Sequence, residues 1–278
     1  MLNLVTVVGC NTHILPHMLK HYEDKVDKVY VVVYRQKDDD KILEEIEELG
    51  ITPYWVVTEP KYKWDRVTHI YNTVKLKHPN DWWIVSDDDE LQVYPEPIED
   101  IIKNCERNGY DFVTGGFLDR IGTDGTFPKV ERGTDIHRAF ALGGFFRHPL
   151  SGACPNKVTL MKGYQEVTPG QHYAKFENGN SWGTSHPKRM PVEECFTQVH
   201  HFKWDASVIG RLLDVAETKE DYSYHREYSK MYRAIARNDW KIDIKDNRFL
   251  VEEFKNYSYI EYKDYPHWDE LKSRIIKI

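Results

Sequence analysis

Apolar residues in the first part of the chain form short runs that alternate with segments of helical periodicity. Four runs are rich in Val, Ile and aromatic residues, a composition typical of strands, and they cover residues 4–8, 28–34, 52–57 and 82–86. The helical segments between them cover residues 14–22, 40–49 and 64–77. Strands and helices that alternate in this way predict right-handed βαβ units and a doubly wound, mostly parallel sheet, which is an α/β fold.

The pattern changes after residue 110. Two more apolar runs, 110–117 and 157–161, predict strands, and residues 119–156 between them show little periodicity. An irregular region of that length is usually functional or covers a substrate. Helical periodicity returns over residues 206–216, 222–236 and 268–276. We therefore expect an α/β domain over residues 1–205 and a helical C-terminal extension over residues 206–278.

Length and composition fit a globular chain, since 278 residues of which 40% are apolar suffice for one large domain or a domain with an appendage. The net charge of −7 argues against broad electrostatic binding to nucleic acid or anionic lipid. None of the apolar runs approaches the ~20 residues that span a bilayer, and residues 1–9 lack the features of a signal peptide. The four cysteines, Cys10, Cys105, Cys154 and Cys195, form no closely spaced pair, so we expect a reducing, cytoplasmic compartment.

The segment Asp87-Asp88-Asp89-Glu90 directly follows the apolar run 82–86. Adjacent carboxylates repel one another, so such a run is unfavourable unless cations or backbone amides compensate it. In an extended segment Asp87 and Asp89 project to one side, which suits Mg²⁺ or Mn²⁺, ions that take oxygen ligands and share them with phosphates. The segment also falls beyond the carboxyl end of a strand, where doubly wound sheets bind ligands. The alternative is a solvated acidic turn.

Several further motifs surround this segment in a fixed order. Asn72 stands fifteen positions before Asp87, and the accompanying stretches are residues 15–22 (LPHMLKHY), 116–120 (GFLDR) with Gly125, 157–160 (KVTL), 170–172 (GQH) and 201–204 (HFKW). Together with the strand that ends in Asp-x-Asp-Glu, they resemble family-2-like glycosyltransferases of the GT-A fold over roughly residues 1–210. The resemblance implies that residues 1–205 form a GT-A-type nucleotide-sugar-binding and catalytic domain.

The resemblance further implies an enzyme that transfers a sugar from a nucleotide-diphosphate donor to a hydroxyl of a glycan or other acceptor, with inversion at the anomeric carbon. A divalent cation, Mn²⁺ or Mg²⁺, would stabilise the charge that develops on the diphosphate leaving group. Asp89 is then the direct metal ligand. Asp87 shares the metal or holds the ribose hydroxyls, and Glu90 braces the pair.

His201 and Lys203 lie between the last apolar run and the helical extension. Because related metal-dependent sugar transferases often supply a histidine from this region, His201 is a candidate metal ligand. Lys203 is a candidate partner for a phosphate oxygen, as a point charge. His172 is a weaker metal candidate. The alternative for either histidine is an ordinary surface or core residue.

Residues that follow the first two predicted strands are placed to contact the nucleotide. They are Gly9, Cys10 and Asn11 after the first strand, and Tyr34 and Arg35 at the end of the second. Gly9 permits close approach of the backbone, and the ring of Tyr34 is suited to packing on the base. Lys63 and Arg66, at the start of the helix that carries Asn72, are candidates for contact with the base or diphosphate. The alternative for both is a solvated helix start.

An inverting transfer needs a general base that deprotonates the acceptor hydroxyl. Asp119 is the first candidate, because it follows a core strand and opens the irregular region. The alternative is an ion pair with Arg120 or with a neighbouring residue. Weaker candidates for the base are Glu131, Asp135, Glu193 and Glu194.

Two other functions fit parts of the pattern. A metal-dependent phosphohydrolase or nuclease would hold two ions with clustered acids, although such sites normally collect carboxylates from several strands. A non-catalytic carbohydrate-binding protein would use some of the 8 Trp and 18 Tyr as stacking platforms. That function leaves the acidic segment unexplained.

Overall fold

The computed structural model describes residues 1–9, 12–36, 41–175, 186–218, 222, 224–254 and 265–276. The chain divides into two compact units. The first unit comprises Met1–Gly115 and Asn156–Thr197, and the second comprises Gly116–Pro155 and Gln198–Ile278. The expected division into residues 1–205 and 206–278 stays a prediction.

Strands and helices alternate through the first hundred residues, as the apolar pattern predicts. The strands of the whole chain are β1 (Leu2–Val8), β2 (Lys28–Arg35), β3 (Trp55–Thr58), β4 (Trp82–Val85), β5 (Glu90–Val93), β6 (Phe112–Ile121), β7 (Leu142–Gly144), β8 (Asn156–Lys162), β9 (Thr197–His201) and β10 (Glu252–Glu253). The helices are α1 (Leu15–Tyr22), α2 (Ile42–Glu48), α3 (Trp64–Lys75), α4 (Ile98–Asn108), α5 (Ile136–Ala139), α6 (Arg147–Ser151), α7 (Val208–Thr218), α8 (His225–Ala236) and α9 (Trp268–Ile276).

The sheet of the first unit has the strand order β3-β2-β1-β4-β8. β1 pairs in parallel with both β2 and β4, β2 pairs in parallel with β3, and β8 joins β4 antiparallel. After β3 the chain therefore crosses to the other side of β1 before it forms β4. This reversal is a topological switch point, and the crevice outside the carboxyl ends of β1 and β4 is where open α/β sheets bind ligands.

Burial on both faces explains the continuous apolar runs of the central strands. Val5 of β1 and Trp83 and Val85 of β4 are fully buried. They share a core with α3, which contributes Ile70, Tyr71 and Val74 at helical spacing. Parallel strands require helices on both faces, so runs without polar alternation are the expected pattern. The predicted α/β class with a mostly parallel sheet is confirmed.

The second unit contains antiparallel strands and a helical core. β6 pairs with β7 in a register that sets Asp119 opposite Gly144, and β10 pairs with the other side of β7. α7 and α8 bury Leu212, Met231 and Ile235 around Trp204. The helical character expected after residue 206 is confirmed by α7, α8 and α9. Within the described residues, no helix is both long and apolar enough to span a membrane.

The region 119–156 has more regular structure than its sequence pattern predicts. It contains α5, β7 and α6, which are 4, 3 and 5 residues long. A helix of four or five residues makes about one turn, and a strand of three residues alternates only once between faces. Such short elements produce no repeated apolar spacing in the sequence. The prediction of an irregular region was wrong to that extent.

Candidate functional site

The acidic segment forms a tight turn between β4 and β5 in the first unit. The Glu90 N–H donates to the Asp87 carbonyl at 3.2 Å, and the Ser86 hydroxyl donates to the Glu90 carbonyl at 3.0 Å. Since Val85 pairs with Val5, the turn begins beside the last residues of β1. The four carboxylates thus lie at the switch point of the sheet, which is the placement expected for a ligand site.

Asp87 is held by two side chains. The Tyr71 hydroxyl donates to its Oδ1 at 2.9 Å, and Nζ of Lys157 lies 3.0 Å from its Oδ2. Burial by itself would raise the pKa of Asp87, but the charge and hydrogen bond of Lys157 and the bond from Tyr71 hold that pKa below its ordinary value. Asp87 is therefore ionised and fixed in one orientation.

Lys157, on β8, also binds Glu90. Its Nζ lies 2.7 Å from Oε1 of Glu90 and 2.5 Å from Oε1 of Gln171. Gln171 is buried and adopts a left-handed conformation with φ of 53°, a strained conformation for a residue with a side chain. The residue in this conformation is therefore one whose amide oxygen contacts Lys157.

The neighbouring carboxylates of the segment also act on Glu90. Burial and the charges of Asp87 and Asp89 raise the pKa of Glu90 to about 8, although Lys157 acts to lower it. Asp88 and Asp89 are half-buried. A half-buried turn of carboxylate oxygens suits Mn²⁺ or Mg²⁺. Each oxygen of Asp87 accepts one hydrogen bond, from Tyr71 or from Lys157. A carboxylate oxygen has a second lone pair, so Asp87 can also bind a divalent cation. The residues of the turn therefore fit such an ion.

Of the predicted nucleotide residues, Gly9 follows β1, and Tyr34 and Arg35 lie at the end of β2. A side-chain carbon on Gly9 would lie 3.2 Å from the Tyr34 carbonyl and 3.3 Å from the Tyr62 ring, so glycine allows these segments to approach. Cys10 and Asn11 lie outside the described residues. Nε of Arg35, at the end of β2, donates to the Thr58 hydroxyl at 3.0 Å.

Tyr34 is a core residue with 1% of its surface exposed. Its hydroxyl donates to the Lys61 carbonyl at 2.9 Å and accepts from the N–H of Lys63 at 3.2 Å. Tyr34 thus fixes the chain before α3. The ring of half-buried Tyr62 lies 5.3 Å from that of Tyr34. If an aromatic ring packs on a base at this edge, the exposed part of Tyr62 is better placed than the buried ring of Tyr34.

The two basic residues at the start of α3 differ in their surroundings. Nε of Arg66 lies 2.7 Å from a carboxylate oxygen of Glu59, and its guanidinium lies over the Trp55 ring. Lys63 is exposed. Farther along α3, the Asn72 side chain donates to the Val167 carbonyl at 3.1 Å and accepts from the Val167 N–H at 3.0 Å. The Asn72 amide therefore forms with the Val167 backbone the pair of hydrogen bonds that a neighbouring strand would form.

In the second unit, Asp119 and His201 are paired. Nδ1 of His201 lies 2.8 Å from Oδ1 of Asp119, and Oδ2 accepts the backbone N–H groups of Phe146 and Arg147 at 3.2 and 3.0 Å. Burial would raise the pKa of Asp119, but the bond from His201 and the charges of His201 and Arg147 keep that pKa below its ordinary value. Arg120 points to the opposite face of β6, where it binds His200 and the Phe140 carbonyl.

Lys203 is buried, and its Nζ lies 4.1 Å from the centre of the Tyr228 ring. This is a cation–π contact, which holds the ammonium without neutralising it. Nearby in the same unit, Arg147 forms an ion pair with Glu227 at 3.4 Å. The predicted role of Lys203 toward a phosphate stays a prediction.

The remaining candidates have local structural partners. Glu131 pairs with Lys129, and Asp135 caps α5 by accepting the N–H groups of His137 and Arg138. Glu193 and Glu194 are exposed residues of the first unit. Nδ1 of His172 lies 2.8 Å from the Asn156 carbonyl. Which of these residues act in catalysis stays a prediction.

Three residues of the acidic site were given no role from the sequence: Tyr71, Lys157 and Gln171. The last two were noted only within the motifs 157–160 and 170–172. Lys157 is a charged residue within an apolar strand, and that exception was a usable signal, because a buried lysine needs a carboxylate partner. Tyr71 sits on the buried face of an amphipathic helix and resembles any core aromatic residue. Gln171 stands between the glycine and the histidine of the motif 170–172, and nothing in that motif indicates a contact with Lys157.

No family model matches the chain, and a search among curated proteins finds no match. Among solved structures, the chain is similar to S. aureus TarS, at 9% identity over 89% of this chain and 46% of that chain, with a TM-score of 0.35. It is similar to S. aureus TarS 1-349 at 10% identity over 89% and 76%, with a TM-score of 0.36. A putative glucose-1-phosphate thymidylyltransferase from Bacillus anthracis matches at 10% identity over 100% and 96%, with a TM-score of 0.27.

The chain spans less than half the length of the TarS chain that it matches. All three TM-scores are below 0.5, so these similarities assign no function to this chain.

Proposed function

We propose that this chain is a metal-dependent glycosyltransferase that moves a sugar from a nucleotide-diphosphate donor to an acceptor hydroxyl. The observation that supports this most is the position of the acidic turn. It leaves β4 beside the end of β1, at the switch point of a parallel sheet, and Tyr71 and Lys157 hold its first carboxylate. The order of motifs that resembles GT-A glycosyltransferases gives the site its proposed chemistry.

Asp89 and Asp87 would hold Mn²⁺ or Mg²⁺ in this proposal. The bound ion would stabilise the negative charge that develops on the diphosphate when the glycosidic bond breaks. Lys157 keeps Asp87 and Glu90 in place and offsets part of their repulsion before any ligand binds. His201 as an additional ligand stays a proposal that a separate variant tests.

The donor nucleotide would lie at the ends of β1 and β2. Gly9 lets the backbone after β1 pack closely against Tyr34 and Tyr62 beside this edge, and Arg35, Lys63 and Arg66 supply positive charge on it. Tyr34 would act by fixing the backbone of Lys61 and Lys63. An acceptor hydroxyl would be deprotonated by a general base if the reaction inverts the anomeric carbon.

The decisive experiment is a thermal-shift and calorimetric screen of UDP, GDP, CDP and dTDP with Mn²⁺ or with EDTA. A ligand that binds only the folded state raises its stability, so one diphosphate should stabilise the protein in Mn²⁺ and not in EDTA. Asp89→Asn should lose the Mn²⁺-dependent part of this affinity. Asp88→Asn removes the same charge from the next position and should retain most of it.

Other outcomes point to other functions. Equal Mn²⁺-dependent binding in wild type and Asp89→Asn would contradict the metal assignment. Release of inorganic phosphate from nucleotides without transfer of a sugar would favour a phosphohydrolase. Binding of glycans without either metal or nucleotide would favour a carbohydrate-binding protein.

A further inference from the structure

Trp240 adopts a backbone conformation that is unusual for a large side chain. Five described residues other than glycine have a positive φ, and they are Asp124, Gln171, Asp239, Trp240 and Leu250. Aspartate tolerates this left-handed region, and Gln171 and Leu250 are buried, so that packing can offset their strain. Trp240 has a φ of 60° and keeps 44% of its surface exposed. Burial in the core therefore does not offset its strain.

The turn that contains Trp240 requires this conformation but does not require a tryptophan. Trp240 follows α8, and its backbone N–H donates to the Ile235 carbonyl at 3.1 Å. Residues just past the end of a helix often adopt the left-handed conformation, and glycine adopts it without strain. The indole contacts the Tyr232 ring, whose centre lies 5.4 Å from its own. Since strain of this kind is typical of functional positions, the exposed indole is a candidate for contact with a ligand.

A cavity of about 190 Å³ lies beside this turn in the second unit. Asn238 and Lys241, which flank Asp239 and Trp240 in the chain, both line it. The apolar part of the lining includes three buried side chains, Ile235, Ile242 and Phe249. Pockets for drug-sized ligands enclose about 300–1,000 Å³, so this smaller cavity suits a single ring.

The charges around the cavity balance. Its lining contains the basic residues Lys241 and Arg248 and the acidic residues Asp243 and Asp246, which gives no net charge. The Arg248 guanidinium also binds the Asp246 carboxylate, with Nη2 2.6 Å from Oδ2. A balanced lining favours neither anions nor cations, whereas carboxylate, amide and ammonium groups can all exchange hydrogen bonds with hydroxyls. Apolar surface beside such groups matches a sugar ring, which has C–H faces and hydroxyl edges.

We propose that the Trp240 ring and this cavity form a binding site for a neutral sugar ring of a glycan. The site consists of residues of the second unit alone, and it does not depend on the proposed function. An exposed tryptophan offers a large, rigid apolar face at a low cost in conformational entropy. The indole would stack on the C–H face of the sugar, and exposed Asp243 would accept hydrogen bonds from its hydroxyls.

The first measurement is calorimetric titration of the whole protein in EDTA with maltotriose, triacetylchitotriose and mannotriose, which present three different neutral sugars. We expect saturable binding of at least one of them. Truncation of a tryptophan at the centre of a binding site commonly weakens binding by about 10-fold or more, so Trp240→Ala should lose at least about that factor. Absence of binding for all three sugars, or wild-type affinity in Trp240→Ala, overturns the proposal.

Asp243→Ala tests the cavity, and Asp239→Gly is the matched control. Asp243 lines the cavity, so its loss should also weaken the binding of the sugar, and unchanged affinity would overturn the assignment of the cavity. Asp239→Gly changes the preceding residue of the same turn, which has a φ of 51°, and should keep wild-type affinity. Loss of affinity in this control would attribute the effect of Trp240→Ala to the turn and overturn the stacking role.

A second measurement, urea unfolding, tests the backbone conformation of Trp240. Trp240→Gly and Trp240→Ala both remove the ring, but only alanine keeps a side chain in the left-handed region. Trp240→Gly should therefore unfold at a higher urea concentration than Trp240→Ala. An alanine variant at least as stable as the glycine variant overturns the argument from strain. If Trp240→Ala fails to fold, Trp240→Gly supplies the affinity of the site without its ring.

The same titrations separate this proposal from the proposed function. Binding of a sugar without any Mn²⁺-dependent binding of a nucleotide diphosphate contradicts the proposed function and supports the sugar site. Mn²⁺-dependent nucleotide binding without binding of a sugar does the reverse. Trp240→Ala should keep the Mn²⁺-dependent nucleotide affinity of the wild type. Binding of UDP in EDTA that Trp240→Ala abolishes would show stacking on a base and overturn the assignment to a sugar.

Discussion

Lys157 and Glu90 form an ion pair in which neither side chain is exposed to solvent, with Nζ 2.7 Å from Oε1. The same ammonium lies 3.0 Å from Asp87, so one cation serves two carboxylates of the acidic turn. Breaking a buried pair leaves a charge with no compensation, which is far more costly than losing an exposed pair. The arrangement of the acidic turn therefore depends on a residue of β8 that follows it by about seventy positions in the chain.

Lys157→Met should destabilise the protein by about 3–5 kcal/mol, because it removes the cation that faces fully buried Glu90 and half-buried Asp87. The double variant Lys157→Met/Glu90→Gln should lower the free energy of unfolding by less than the sum of the decreases in the two single variants. Urea unfolding of the four proteins measures this coupling. Lys162→Met is the control on the same strand, since Lys162 pairs with largely exposed Glu106 and should cost at most about 1 kcal/mol. Equal losses for the two lysines would contradict the buried pair.

Tyr71→Phe should cost about 1–3 kcal/mol, because it removes one hydroxyl that serves both strands at the switch point. That hydroxyl accepts the N–H of Val7 at 3.2 Å and donates to Asp87 at 2.9 Å. The Val7 N–H is buried and would lose its acceptor. Tyr54→Phe, at a side chain that is 45% exposed, should change the free energy of unfolding by less than about 0.5 kcal/mol. Similar unfolding curves for both variants would argue against the bridging hydroxyl.

Lys75 should make the free energy of unfolding depend on pH. Its Nζ is buried against the Met161 sulfur and the Gln165 carbonyl, and burial lowers the pKa of Lys75 from 10.5 to about 7. Below pH 7 both the folded and the unfolded chain carry the proton. Between pH 7 and 10.5 only the unfolded chain carries this proton. The free energy of unfolding therefore rises by at most about 1.4 kcal/mol for each unit by which the pH increases.

Lys75→Met removes this dependence. The free energy of unfolding of wild type, relative to Lys75→Met, should rise by about 2 kcal/mol between pH 7.5 and pH 9. Urea titrations at several pH values measure the difference. Lys77→Met changes an exposed lysine two residues away and should keep the wild-type slope. Parallel pH profiles for wild type and Lys75→Met would show that the ammonium stays charged in the folded state.

Lys203→Ala should raise the KM for the nucleotide-sugar donor if this lysine neutralises a phosphate oxygen. The contact with the Tyr228 ring leaves its positive charge in place, so the charge is available to an anion. Steady-state kinetics with the donor found in the screen gives KM and kcat, and unfolding curves report whether the variant is folded. Lys230→Ala, at an exposed lysine of α8, is the control. An unchanged KM would assign Lys203 a purely structural contact with Tyr228.

The first half of the fold follows closely from the sequence because its elements are buried on both faces or along one clear stripe. The observed bounds of β1, β2, β4 and α3 each differ from the predicted ones at one end only, by one or two residues. α4 and β5 were not predicted. β5 contains buried Glu90 and Gln92, so it lacks the apolar pattern of a strand. α4 has apolar residues at helical spacing, Ile98, Ile101, Ile102 and Cys105, and this signal was missed.

The candidate site was only partly predictable. The acidic segment was evident because four consecutive carboxylates follow an apolar strand. Its partners were not, since Tyr71 and Lys157 meet Asp87 from 16 and 70 positions away. The pairing of Asp119 with His201 spans 82 positions and depends on the way strands of the second unit are arranged.

The sequence by itself determined the α/β class, the alternation of strands and helices in the first half, the helical C-terminal part and the place of the acidic turn after β4. These properties depend on the local spacing of apolar side chains, which each segment carries on its own. Only the tertiary structure decided that Lys157 is the buried cation of the turn, that Tyr34 is a core residue and that Asp119 binds His201. Ion pairs and burial act over a few ångströms in space, and the chain brings those atoms together only when distant strands pair.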